Sequence, residues 1–183
     1  DGSIIAYGMI PLAGDEITEV IAKTYLVDFN TAEQIKVQAS DKKEGIVEFK
    51  DIMGLTQKIP AEQILKDSES VIDKMADAAA QKIIELNGNR PVNAVFVVGG
   101  GGKMANYTQK VAEHLGIMAE RVAVRGEEVL GSISFDIDGF KKDSLYVTPI
   151  GICTNYYTQK NSFMFVTVNG ERIKMYDNNR LTV

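Results

Sequence analysis

Four consecutive glycines, Gly99, Gly100, Gly101 and Gly102, follow the apolar run Ala94-Val95-Phe96-Val97-Val98. Glycine lacks a Cβ, so a ligand can lie directly against its peptide planes. A strand that ends in bare backbone and then opens a helix is a recurrent way of bringing a nucleotide to the main chain. The run does not match a P-loop. Lys103 is followed by Met104 instead of Ser or Thr, and Val97 stands where the first glycine belongs. It does match a loose dinucleotide fingerprint, Gly100-x-Gly102-x-x-Ala105, with Glu127 and Glu128 beyond the next strand for a ribose contact. That fingerprint belongs to the first unit of a larger parallel sheet, whereas helical patterns precede it here. A tight structural turn is the plain alternative, but four glycines exceed what one turn requires.

Two other groups of residues could do chemistry. Glu33 and Lys36 are three apart on a helical pattern and therefore project from one face. Taken alone they read as an exposed ion pair worth about 0.2–1 kcal/mol. Gly14, in Pro11-Leu12-Ala13-Gly14-Asp15, either presents helix N–H groups to a phosphate or makes an ordinary strand-to-helix turn. His114 falls at the end of a helical pattern and reads as a complement to the helix C-terminus, not as a base. Cys153 reads as a small packed residue. With one cysteine and one histidine the chain can build neither a disulfide framework nor a Cys/His zinc site of its own. No catalytic residue and no metal ligand is assigned.

The elements that must position these groups follow from the pattern. Residues 3–10 read as a strand. Asp15 is expected to cap a helix with Ile17, Val20, Ile21 and Tyr25 inward. Thr31-x-x-Gln34 predicts the start of a second helix, ending near Ser40-Asp41-Lys42-Lys43. Residues 45–49 and 56–59 predict a hairpin turning near Gly54. After Pro60 a long amphipathic helix carries Ile64, Val71, Met75, Ala79, Ile83 and Leu86, with Asn87-Gly88 as its C-cap. The 94–98 strand should be buried on both faces. A helix over 103–115, with Met104, Tyr107, Val111 and Leu115 on its stripe, should cross over to a parallel strand at 121–124. A further strand is expected at 145–151. Asn169-Gly170 between residues 163–168 and 171–176 predicts a type I′ hairpin. Leu181-Thr182-Val183 also reads as a strand. The expected class is α/β with an antiparallel appendix.

The chain has 183 residues, 45% of them hydrophobic and 25% charged, as in ordinary globular folds. The net charge of -5 argues against a nucleic-acid footprint. No stretch reads as a membrane span or a signal peptide, and a reducing, cytoplasmic setting fits. Both ends read as cut from a longer protein.

Three stretches, in this order, resemble the actin-like (ribonuclease H-like) ATPase superfamily and, within it, the FtsA-like family and its PilM-like relatives. They are Gly8-Met9-Ile10-Pro11-Leu12-Ala13-Gly14-Asp15-Glu16-Ile17-Thr18, Ala32-Glu33-Gln34-Ile35-Lys36, and Val97-Val98-Gly99-Gly100-Gly101-Gly102-Lys103-Met104. The family more often has Gly where this chain has Ala13. The resemblance implies the second lobe of the ATPase domain over residues 1–152, with a small inserted subdomain at about 15–90. Residues 153–183 would be a hairpin extension opening a β-grasp-like domain. It further implies that Gly14 faces the phosphates, that Glu33 holds the ribose, and that Lys36 borders the adenosine. Gly99, Gly100, Gly101 and Gly102 would pass over the nucleotide, and Met104 would flank the base. The cofactor would be ATP, with Mg held by parent segments that this stretch does not include. The implied partners are the division protein FtsZ, pilus components for the PilM-like relatives, or further copies in a polymer. The readings from other classes are a fragment of an NAD-dependent oxidoreductase and a nucleotide-free interaction module.

Overall fold

A computed structural model describes residues 5–41, 45–131, 133–137, 139–140, 142–162 and 164–175. The chain forms two compact units, 1–125 and 126–183. The strand expected at 181–183, and residues 1–4, 42–44, 163 and 176 of other predicted elements, lie outside the described residues.

Among the described residues the first unit holds four α-helices, a hairpin and a parallel strand pair. Helix α1 spans Gly14–Tyr25 and buries Ile17, Thr18 and Ile21. Its N-cap is Ala13, not Asp15, and Glu16 supplies the cap by accepting the Ala13 N–H at 2.8 Å. Leu26, in the left-handed region at φ 51°, ends the helix. Helix α2 spans Phe29–Asp41 and buries Ala32, Ile35 and Ala39. It starts earlier than Thr31 because Asp28 is the better cap. Its carboxylate accepts the Thr31 N–H at 3.0 Å and the Thr31 hydroxyl as well.

Strands β1 (Ile46–Lys50) and β2 (Thr56–Pro60) pair antiparallel, as expected, with Ile46 opposite Pro60. Their alternation turns Val47 and Phe49 inward. Helix α3 runs Ala61–Leu86, and its buried stripe is Ala61, Ile64, Ser68, Ile72, Met75, Ala76 and Ala80. One hydrophobic cluster joins α1, α2, β1 and α3 through Ile17, Ile21, Ile35, Val47, Ile64 and Met75. Each fully buried isoleucine contributes roughly 1.5–3 kcal/mol.

A second cluster packs α3 on a parallel pair. Strand β3 (Val95–Val97) runs beside strand β4 (Val122–Val124), and helix α4 (Tyr107–Leu115) makes the crossover. The expected burial of β3 on both faces is corrected, since Phe96 is 59% exposed. Only one strand neighbours β3 among the described residues, and on the other face the Arg125 guanidinium lies 4.3 Å over the Phe96 ring. The helix expected from Lys103 starts at Tyr107, because Gly101–Lys103 is a 3-10 turn and Asn106 is left-handed at φ 65°. Residues 5–10, expected as a strand, have no ladder partner among the described residues and no regular structure, and Ile5, Tyr7 and Met9 are exposed. A strand is defined by pairing, and apolar alternation alone does not supply it.

The second unit holds helix α5 (Ser144–Ser162) and the hairpin of β5 (Met164–Val168) and β6 (Glu171–Met175). The expected strand at 145–151 is a helix. Asp143 caps it by accepting the Leu145 N–H at 3.1 Å, and Pro149 is carried inside it. The domain boundary expected between 152 and 153 falls within this helix. Cys153 is exposed, not packed. The hairpin matches expectation, with Asn169 at φ 53° and Gly170 at φ 87°. Among the described residues the sheets are three two-stranded pairs, so the chain is mixed α/β. No helix among them is long and apolar enough to cross a membrane.

Candidate functional site

The first turn of α1 and the exposed end of α2 meet in one polar corner. Lys36 is largely buried, and its ammonium group reaches back from α2. It donates to the Gly14 carbonyl at 3.1 Å, to Thr18 Oγ1 at 2.9 Å and to Glu33 Oε2 at 2.5 Å. An ammonium group has three hydrogens, so these three acceptors saturate it. Gly14 makes room for this reach, since a Cβ there would stand 3.3 Å from Lys36 Nζ. Gly14, Glu33 and Lys36, singled out on separate grounds, are therefore brought together.

Thr18 completes the corner and was not anticipated. It is fully buried on the apolar face of α1 between Ile17 and Ile21. Its hydroxyl accepts from Lys36 and lies 2.6 Å from Glu33 Oε2 and 3.1 Å from the Gly14 carbonyl. A hydroxyl has one proton, and the charged, closer carboxylate is the stronger acceptor. The sequence signal was a threonine set one turn beyond Gly14 within an otherwise apolar stripe.

Glu33 is about half exposed, and both of its bonds use Oε2. Oε1 has no partner among the described residues. Burial pushes the Glu33 carboxyl up, but the Lys36 and Thr18 hydrogen bonds and the Lys36 charge outweigh this and hold it below the ordinary range. Glu33 is thus a carboxylate at neutral pH, with one oxygen fixed inside the protein and the other available. Such an oxygen suits neighbouring hydroxyls. Lys36, in contrast, has no hydrogen left for a phosphate.

The glycine run divides by position. Gly99 adopts φ +89°, which favours glycine. Gly102 is buried, and a Cβ on it would come within 2.5 Å of Val97 Cγ1. Gly101 differs, for a Cβ there would meet nothing within 4 Å and its φ is not positive. Two glycines answer to backbone or packing, and Gly101 answers to neither. The 3-10 turn is closed by Lys103 N–H to the Gly100 carbonyl at 3.1 Å and Met104 N–H to the Gly101 carbonyl at 3.3 Å. Met104 then turns inward, 7% exposed, into the hydrophobic cluster that holds Ala32 and Ile35 of α2. That cluster anchors both the end of the glycine run and the helix bearing Glu33 and Lys36. In the dinucleotide fingerprint the glycines open the helix, whereas here Lys103, Met104, Ala105 and Asn106 separate them from α4.

His114 does more than complement a helix end. Its Nε2 stands 3.1 Å from Asp73 Oδ1 and its Nδ1 3.5 Å from Asp77 Oδ1, both on α3. The His114 hydrogen bond, then the charges of Lys110 and His114, hold the Asp73 carboxyl below its usual range. Lys110 bonds Glu69 at 3.2 Å. These contacts lock α4 to α3. The two carboxylates sit on opposite ring nitrogens, an arrangement that suits a clamp and not one shared metal ion. No metal-holding cluster of three or more groups occurs among the described residues.

No protein-family model matches the chain, and no curated protein is significantly similar to it.

Proposed function

We propose that this chain supplies the adenosine side of a nucleotide cleft in a cytoplasmic, FtsA-like ATP-binding protein of the actin-like superfamily. The observation that carries the reading is Glu33. Thr18 and Lys36 hold one of its carboxylate oxygens, and the other stays open on a partly exposed side chain. A ribose offers two adjacent hydroxyl donors, and an ionised carboxylate is the acceptor they fit. Gly101 adds support, as bare backbone with open space where a side chain would stand. The saturation of Lys36 directs the corner to the sugar and away from the phosphates. Under this reading the phosphates, and the Mg that accompanies ATP, belong to other segments of a longer parent. ATP there bridges two lobes and biases closure or polymerisation, and FtsZ or other division proteins are the partners.

The test is an amide-resolved NMR titration of the chain with ATP, adenosine and NAD at millimolar concentration. ATP and adenosine should shift the amides of Gly14, Glu33 and Gly100 to Gly102. Tighter binding of NAD would favour the oxidoreductase reading, and no binding of any of the three would favour an interaction module.

A further inference from the structure

On the premise of the nucleoside site above, we propose that Thr18 is a positioning residue that makes the site selective for ribonucleosides over 2′-deoxyribonucleosides. The terminal torsion of a glutamate is broad and roughly two-fold, so a free carboxylate presents either oxygen in many orientations. Selection between one hydroxyl and two requires a carboxylate that holds still. Lys36 alone cannot provide this. It gives Glu33 Oε2 one contact, from the helix that also carries Glu33, and one contact leaves the terminal torsion free.

Thr18 is different in kind. It comes from another helix, it is fully buried, and its β-branched side chain is restricted at χ1. Its hydroxyl fixes Glu33 Oε2 at 2.6 Å from a rigid point. The plane of the carboxylate is then set, and Oε1 is the single oxygen left for ligand. Its two lone pairs match two adjacent hydroxyls. Removing the 2′-hydroxyl takes away one of the two hydrogen bonds that Oε1 would accept from the sugar. The Thr18→Val change keeps the side-chain outline and removes the hydroxyl both as donor to Glu33 and as acceptor from Lys36, while the direct Lys36–Glu33 contact is left in place. Thr18→Ser keeps the hydroxyl.

The experiment compares adenosine with 2′-deoxyadenosine by NMR titration on the unaltered chain, Thr18→Val and Thr18→Ser. The unaltered chain should prefer adenosine by about tenfold, the scale of one hydrogen bond to a charged group. Thr18→Val should bind both alike, and Thr18→Ser should restore the preference. An unaltered chain that binds neither removes the nucleoside site and this role with it. An unaltered chain that binds both equally overturns the selectivity while leaving the site, and needs no variant to fold. Preference retained in Thr18→Val overturns the role of Thr18 alone.

Discussion

Alanine substitution along the glycine run separates packing from ligand approach. At Gly102 the new methyl carbon would lie 2.5 Å from Val97 Cγ1 and 3.3 Å from Val97 Cβ. Val97 is β-branched and sits in β3, so its side chain cannot swing aside as a lysine tip could. Overpacking of this kind costs about 1–3 kcal/mol. For a unit of this size that lowers the melting temperature by roughly 4–12 °C. Gly99→Ala meets no atom, but its positive φ costs about 1–3 kcal/mol. Gly101→Ala meets no atom and needs no unusual φ. It should be neutral or gain about 0.4–1 kcal/mol by restricting the unfolded chain. Yet the same methyl would occupy the backbone surface offered to a nucleotide. Gly101→Ala should therefore weaken ATP binding by about tenfold, equivalent to about 1.4 kcal/mol, while its thermal unfolding stays at or above that of the unaltered chain. Differential scanning calorimetry and an ATP titration on the three variants and the unaltered chain make the comparison. Early unfolding of Gly101→Ala would refute the packing argument, and full affinity in it would refute the approach of ligand to the backbone.

Other outcomes follow from the same contacts. Ile35→Ala removes a side chain only 1% exposed from the cluster beneath the polar corner, and urea unfolding should show a loss of about 2–5 kcal/mol. The depressed Glu33 pKa adds stability that is complete above its ordinary value and is lost as pH falls through the lower folded value. The difference in urea midpoint between the unaltered chain and Glu33→Gln should accordingly shrink as pH falls below the ordinary carboxylate range. Pro149→Ala restores an N–H inside α5, where proline costs about 3 kcal/mol relative to alanine, and should raise the helical circular dichroism of the chain. No change in that signal would mean that α5 is held by contacts that override propensity.

Legibility tracked how local the deciding physics is. The Asn169-Gly170 turn, the β1–β2 hairpin and the long helix after Pro60 all follow from signals within a few residues. Helix α5 was missed because Val147-Thr148-Pro149 reads as extended, while the deciding feature is the Asp143 cap four residues upstream. Residues 5–10 carry strand-like composition, but pairing is a tertiary fact. The start of α4 depends on Asn106 taking a left-handed conformation, which a helical stripe through Met104 conceals. At the candidate site, Gly14, Glu33 and Lys36 stood out by spacing, and their convergence rests on the turn at Leu26 that folds α2 back on α1. Thr18 escaped because a buried hydroxyl looks like one more residue on an apolar stripe until its partners are known.

The saturation of Lys36 also fixes how that amine behaves toward reagents. An ammonium bound to three oxygens and 12% exposed is shielded from an acylating agent. Lys23 and Lys58, at 76% and 63% exposure, should be acetylated at once. Lys36 should be modified only when the α1–α2 corner opens, so its labelling rate reads out local opening. An occupant that settles on Glu33 should slow that labelling further, giving the corner a reporter it carries in its own sequence.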